Sequence, residues 1–521
     1  MAITPQTNVR LLKCPLNINN KHQINFASKT EQTAYFKSLP YTELEECSYI
    51  RKDNIIRFPA HIDDIIEYNY VMYQNENYSN KWFYAYITDM KYENDGLTYI
   101  TIKTDVFQTW QFDIVYKKMF VEREHVNSDN VGEHTVPEGL ETGEYICDDI
   151  IYNSALDSFK YVLRVTEYTP GSVNVPYITN FGGVIEPGGA YILDSAYELA
   201  NVIQSYAGAG KSDAIIGCYM CPSVLILNES QDARYSGQTT PAYASQNISK
   251  PTSLNGYTPV NKKLLTFPFC FINVSNNNGS SNSLQYELFN EIDEYPGQCI
   301  FNIKGVPVLG GSIKCSPFNY KNSSEKDNED EGLIAGKFPA LGWFKDEYTN
   351  WLTQNAVNIG VGLSSNILTI IGGGLTAATG AGAIPGVSAI VSGGMGIART
   401  LGQIYEHSLT PNSAKGNING GDINVSSSKN GFFFYKMSIK REYAKIIDDF
   451  LSAYGYKVNS YKTPNITGRS NWNFVKTQEA NLAGDIPQND LQEIKDILNN
   501  GVTFWHNFNT FLDYSQSNSI V

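Results

Sequence analysis

Charge is what this chain has least of for its size. Asp, Glu, Lys and Arg make up 18% of its 521 residues, below the roughly 25% usual in globular proteins. Basic residues are scarcer still, 39 against 53 acidic, which gives a formal net charge of −14. That balance excludes a protein that grips nucleic acid through its phosphates, since such binding needs clustered Lys and Arg. It leaves room for another relation to DNA. Copies ringed around a passage would hold a polyanion off the walls by their summed field. Cysteine supplies no framework either: Cys14, Cys47, Cys147, Cys218, Cys221, Cys270, Cys299 and Cys315 are widely spread. The spacing predicts mostly free thiols in a protein assembled in a reducing cytoplasm. The opening MAITPQTNVRLLKCPLN lacks a basic head followed by an apolar core, so no secretory signal is expected.

What is abundant is tyrosine, thirty-five copies within a 13% aromatic content. Rings fit half-buried strands, and Asn and Gly fit their turns, so the composition predicts a mainly β protein with some α, of two or three domains. KWFYAYITDMKY, Asn94-Asp95-Gly96 and LTYITIKT read as a hairpin. Its second strand puts Leu97, Tyr99, Thr101 and Lys103 on one face and Thr98, Ile100 and Ile102 on the other. A short helix is expected next, capped by Thr104 or Asp105. Between about 150 and 345 short β-like runs alternate with Gly, Ser, Asn and Pro, and LDSAYELANVIQSYA is the clear helix, with Leu199, Val202 and Ile203 as its stripe. The acidic run Glu325 to Glu331 reads as a solvated loop. Near the far end a helix with Tyr443, Ile446, Ile447, Phe450 and Leu451 on one face should stop at Gly455. A second should run from a cap at Asn489 or Asp490 to Gly501. The two ends share a texture, and the middle reads as an insertion.

Chemistry finds little purchase. AGAGKSD, Ala207 to Asp213, resembles a phosphate loop, but Ser205 stands where the motif needs glycine, and a helix precedes where a strand should. A helix-ending glycine turn is the better reading. Cys218 and Cys221 have CxxC spacing without the second pair that structural zinc requires. Two cysteines on opposite sides of a strand is the expectation. His22, His61, His125, His134, His407 and His506 stand in no catalytic signature, and His125 in VEREHVN reads as structural. The acid pairs Asp63-Asp64, Asp293-Glu294 and Asp448-Asp449 are expected to be solvated. No catalytic residue, cofactor site or metal site is assigned.

The strongest signal is another absence. From Tyr348 to Ala398 there is no charged residue and no histidine. The stretch exceeds the ~20 apolar residues of a membrane span, but Gly372-Gly373-Gly374 and GAGAIPG interrupt it. The pattern predicts a helical hairpin with arms at about 348–379 and 387–407. Ile359, Val361, Leu363, Ile367, Leu368, Ile370, Ile371 and Leu375 are the apolar residues of the first arm. Ile384 lies at the turn, and Val387, Ile390, Val391, Met395 and Ile397 follow in the second. Three readings stay open on these residues alone: a closely packed Gly/Ala helix pair, a hairpin that contacts a membrane, and a constitutive membrane protein.

Residues 80–114, NKWFYAYITDMKYENDGLTYITIKTDVFQTWQFDI, followed by VEREHV, resemble the N-terminal signature of the distal tail, or tail knob, proteins of small short-tailed bacteriophages that replicate by protein priming. YGYKVNSYKTPNITGRSNWNFVKTQ and GDIPQNDLQEIKDILNNGVTFWH resemble that family's closing segment. The resemblance implies a structural virion protein, not an enzyme, in the tail of the particle. It implies a homohexameric tube whose β-barrel-like domain comes from both termini, residues 1–145 and 430–521. An inserted β-rich knob would take 146–345, and 408–429 would be a linker. The apolar segment 346–407 would plug the tube before infection and help breach the host membrane afterwards. The implied partners are the proximal tail or lower collar protein, a tail-tip cell-wall-degrading enzyme, passing double-stranded DNA without specific binding, and the host membrane. A tail-tip cell-wall hydrolase, a free pore-forming toxin and a receptor-binding protein are the rival functions.

Overall fold

The computed structural model describes residues 7–50, 53–75, 81–153, 158–169, 175–181, 184–226, 243–276, 279–305, 307, 311–321, 327–337 and 431–521. The described chain is mainly β with a few helices, and it divides into two compact units. A terminal unit takes the residues up to Gly143, the short stretch Tyr257–Leu264 and everything from Arg441; a middle unit takes the rest.

The terminal unit opens with β1 (Thr7–Leu12), β2 (His22–Ile24), β3 (Tyr41–Ile50), β4 (Ile55–Phe58), β5 (Tyr70–Asn75), β6 (Trp82–Asn94), β7 (Leu97–Thr104), β8 (Val115–Tyr116) and β9 (Met119–Glu124). Six of these close into a barrel in the order β1-β3-β4-β7-β6-β5. The β6–β7 hairpin falls where the sequence places it. Its turn pairs Asn94 with Leu97, and the Asn94 side chain accepts from Gly96 N at 3.0 Å. Along β7 the alternation holds, with Thr98, Ile100 and Ile102 buried. All six strands feed one apolar cluster that includes Val9, Cys47, Ile56, Val71, Ala85 and Ile100. An eight-stranded barrel is just wide enough for side chains to fill, so this narrower one is solid. Tyr70 and Met72 of β5 point the other way, into a second cluster beneath helix Lys29–Ser38, where Phe36 lies 5.5 Å from the Tyr70 ring and parallel to it.

Four strands from the other end, β22 (Tyr456–Lys462), β23 (Trp472–Gln478), β24 (Leu482–Ala483) and β25 (Val502–Trp505), join strands of the first. One sheet runs β2-β25-β23-β9-β22. In it β2 lies parallel to β25, and β9 is flanked by β22 and β23. Helix Val106–Trp110 is capped by Asp105. With helix Gln488–Asn500 it buries Phe107, Ile494 and Leu498 against Val121, Val475 and Phe504. Burying such side chains stabilises by roughly 1.5–3 kcal/mol each.

Two helix expectations need correction. Helix Gln488–Asn500 begins after Pro487 without a side-chain cap, because a proline before the first turn leaves no side-chain oxygen to accept. Asp490 sits in that turn and accepts from Trp110 Nε1 at 2.8 Å. Helix Arg441–Tyr454 stops at Gly455 as expected, but it buries Ala444, Ile447, Asp448 and Leu451, while Ile446 is 66% exposed. The buried face is rotated so that an acid, not Ile446, points inward.

The middle unit carries β10 (Tyr145–Tyr152), β11 (Phe159–Val165), β12 (Tyr177–Phe181), β13 (Val184–Leu193), β14 (Ile215–Pro222), β15 (Tyr243–Ser249), β16 (Cys270–Ser275), β17 (Ser281–Leu284), β18 (Gln298–Gly305), β19 (Ser312–Pro317), β20 (Leu333–Lys337) and β21 (Phe433–Ile439). They form three four-stranded sheets, β10-β21-β16-β17, β12-β13-β11-β14 and β15-β18-β19-β20. Helix Ala196–Gly208 packs on the second through Leu199, Val202 and Tyr206, with Ile203 partly buried beside them. Within the acidic run Asp330 is exposed, as a solvated loop requires, and Asp327 is the exception. The Asp327 carboxylate is 4% exposed, held by Lys304 and by Asn302 Nδ2 at 2.8 Å.

Candidate functional site

The fourteen apolar residues that the sequence singles out, Ile359 to Ile397, lie outside the described residues, as does everything from 338 to 430. Among the described residues no helix is long and apolar enough to cross a membrane, and no group of three or more His, Cys, Asp or Glu is placed to hold a metal ion.

What the described residues do build is a junction of distant chain segments in the terminal unit, held by buried polar groups. His125, just after β9, accepts from Phe474 N through Nδ1 at 2.8 Å. Its proton therefore sits on Nε2, which donates to the Ser452 carbonyl at 3.0 Å. Burial is the main cause that pushes this imidazole down to about 3, with Arg469, Arg123 and His506 adding to it. His125 is a neutral strut between β9, β23 and helix Arg441–Tyr454. Beside it Glu124 is fully buried, pairs with Lys462 and accepts from Asn465 N at 2.8 Å. Glu138 pairs with both Arg123 and Lys263 and accepts from Lys457 N at 3.0 Å.

Asp448 is the densest of these contacts. Its carboxylate accepts from Tyr257 Oη at 2.8 Å, Val260 N at 2.7 Å, Asn261 N at 2.9 Å and Asn261 Nδ2 at 2.7 Å. That set ties Tyr257–Leu264 into the terminal unit. At the barrel Asp105 caps its helix through Gln108 N at 3.1 Å and accepts from Tyr70 Oη at 2.9 Å. Burial raises this carboxyl to about 6, against the lowering effect of its Gln108, Tyr86 and Tyr70 donors.

The oxygens of Asp105, Glu138 and Asp448 are spent on main-chain and side-chain donors, and those of Glu124 on Asn465 N and the Lys462 ion pair, which suits struts. The expectation that Asp448-Asp449 is solvated fails for Asp448. The signal was in the spacing, since Ala444, Ile447, Asp448 and Leu451 share one helix face. Glu138 and Lys263 carry no such periodic mark and could not be read out.

The remaining motif residues stand apart. After helix Ala196–Gly208, Gly210 takes φ +68°, Lys211 N bonds back to the Tyr206 carbonyl at 2.9 Å, and Lys211 Nζ pairs with Glu167 at 3.0 Å. This is a helix stop with its lysine turned to a carboxylate. Cys218 and Cys221 lie on β14, both buried and free, with burial pushing both thiols up. Cys218 alone belongs to the core under the helix, which fits opposite strand faces. Asp63 and Asp64 occupy the first turn of helix Ile62–Ile65.

Comparison with known proteins covers both ends. Residues 234–519 match the family described as Bacillus phage phi29, tail knob protein gp9, C-terminal domain. Residues 5–117 match the caudoviral major tail protein N-terminus. The chain is 25% identical to the tail knob protein gp9 of Bacillus phage phi29, over 100% of both chains. It is 24% identical to that of Bacillus phage PZA, over 97% of this chain and 98% of the other. Among solved structures, the tail knob protein gp12 of bacteriophage C1 aligns with a TM-score of 0.64 at 15% identity, over 99% of this chain and 100% of that one, a likeness of fold.

Proposed function

The chain belongs to the phage tail knob protein family, a structural part of the virion tail and not an enzyme, and on that premise we propose that six copies close a ring through which the genome leaves. The observation that carries this reading is the solid barrel. With Val9, Ile56, Val71 and Ile100 packed inside it, a passage for DNA has to be framed between copies and not through one. The excess of 53 acidic over 39 basic residues favours sliding of a polyanion over sticking.

In this reading the tube wall is built from 1–145 and 430–521, the knob from 146–345, and 346–407 is a plug that becomes membrane-active on release. Such an apolar stretch is tolerated while copies cover one another and seeks lipid once exposed. The proximal tail protein, a cell-wall-degrading enzyme and the host membrane are the neighbours it would meet. Imaging the purified full chain tests the ring: a six-fold particle with an acidic channel is expected, and a stable monomer at micromolar concentration overturns it. Dye release from liposomes tests the segment, with Ile370→Asp and Ile390→Asp each opposing insertion by ~2.5–3.5 kcal/mol. Equal leakage by native and charged forms would remove the membrane role and leave the plug.

A further inference from the structure

One sheet of the middle unit, β10-β21-β16-β17, has a buried face and an open one. Residues directly opposite one another in a ladder share a face. On one side Ile272 and Val274 of β16 and Phe434 of β21 are buried, and the Phe434 ring meets Phe301 at 4.8 Å. The other side is apolar too, but it is only half covered. Phe271, Tyr435 and Met437 are half-buried there, and Ile150, opposite Tyr435, is 57% exposed. The exposed rings of Tyr145 and Phe267 lie 5.4 and 6.1 Å from Phe271. The register rows through Met437, Tyr435 and Phe433 hold no charged residue across the sheet. An open apolar face of this kind marks an interaction. A charged partner would lose its hydration there without gaining a counter-charge, so the face suits an uncharged one.

The path of the chain names that partner. Residues 338–430 leave from β20 and return into β21. β20 is tied to the end of β16, where Asn276 Nδ2 donates to the Ile334 carbonyl at 2.9 Å. The return enters beside the same end, since Phe433 pairs with Ser275. Both connections therefore meet this sheet at one rim. Between them lies 348–398, which carries no charged residue and no histidine. Its first residue, Tyr348, follows Lys337 by eleven positions, a reach of ~35 Å, against the ~15 Å that four strands span.

We propose that 348–398 packs its apolar residues on this open face of its own chain. The proposal rests on the reading of 346–407 as a segment stored before release, and it needs neither the ring nor the membrane step. Cys147, opposite Met437 on the same face, is the one exposed cysteine, the other seven being buried, and serves as a native probe. Ile370→Cys and Ile390→Cys, each in the full chain, are treated with a bismaleimide and the products mapped by peptide mass. A crosslink from Cys147 to at least one of them within a single chain is expected, and it should vanish in Cys147→Ser. Both new thiols should react with a soluble maleimide about tenfold or more slower than in urea. Ile150→Lys, at an exposed position where a substitution changes folding little, should abolish the crosslink and restore fast labelling. Slow-reacting thiols that crosslink elsewhere, or only to a second chain, overturn this docking and leave the stored segment standing. An unchanged crosslink in Ile150→Lys overturns it as well. Thiols that react as fast as in urea overturn storage itself, and this docking with it.

Discussion

The two units bury polar groups in different ways. In the terminal unit Asp105, Glu124, Lys263 and Asp448 are buried, and so is His125. Among the described residues of the middle unit the buried polar ones are Asn153, Thr169, Thr266, Asn302, Ser316, Asn319 and Ser438, all of them neutral. Asp327 comes nearest to an exception, and its Lys304 partner is 45% exposed. Burying a charge costs several kcal/mol unless its partners are complete, so the difference needs a cause. Connectivity supplies one. The middle unit pairs many strands close in sequence, such as β16 with β17 and β18 with β19, and joins its one distant strand, β21, to β10 and β16 by main-chain ladders. The terminal unit has to bring residue 125 to 452 and residue 261 to 448. Apolar contact is not directional, whereas a carboxylate with four donors accepts one arrangement. The buried charge acts as a register device for segments that the chain supplies far apart.

The largest expected effect breaks that device. Asp448→Ala strands the main-chain donors of Val260 and Asn261, both of which face the missing carboxylate. Removing one side of such a buried set costs about 3–5 kcal/mol. Urea unfolding followed by tryptophan fluorescence reads mainly this unit, since four of the six tryptophans, Trp82, Trp110, Trp472 and Trp505, belong to it. A loss well under ~1 kcal/mol would place Asp448 among ordinary surface acids and undo the comparison.

Much of this architecture was legible and some was not, for physical reasons. Period-two alternation exposed the β6–β7 hairpin, and helical spacing with a glycine stop gave both closing helices. Long specific matches at 80–114 and 454–506 carried the family. Closure of the barrel was not legible, because strand order depends on pairing between segments that share no local mark. Nor was the return of Tyr257–Leu264 to the terminal unit, since Asn261 and Lys263 look like loop residues until Asp448 and Glu138 are set beside them.

A second test of the comparison uses pH. His125 is held at about 3 in the fold, against ~6.5 unfolded. Below that unfolded value the unfolded chain binds the proton and the fold does not, so this contribution is full above pH 6.5 and declines as pH falls toward 3. Asp105 runs the other way. Its folded value of about 6 exceeds the unfolded ~3.9, so the folded chain takes up its proton first, and stability from this group is present below pH 3.9 and lost as pH rises through 6. Acidification from pH 7 to 5 therefore weakens one strut and relieves the other. Asp105→Asn removes the relief, and the unfolding free energy from urea titration should then fall more steeply over that interval, by on the order of 1 kcal/mol. An unchanged slope would mean that Asp105 does not titrate there.

The smallest effect sharpens the contrast from the side of the middle unit. Its helix Ala196–Gly208 starts at Ser195, whose hydroxyl accepts from Glu198 N at 3.3 Å. The Glu198 carboxylate returns the bond by accepting from Asp194 N at 2.7 Å. This reciprocal pair is local, satisfied within five residues, and independent of any distant segment. Ser195→Ala should cost ~1 kcal/mol, because one main-chain donor, Glu198 N, loses its fixed partner but remains near water. The loss should appear in helical circular dichroism, through exposure of Leu199 and Val202 from the core they share with Tyr191 and Cys218. Tryptophan fluorescence of the terminal unit should not move at the same denaturant concentration. A joint shift of both signals would mean that the two units unfold as one, and that buried charge in the terminal unit stabilises the whole chain and not its own register alone.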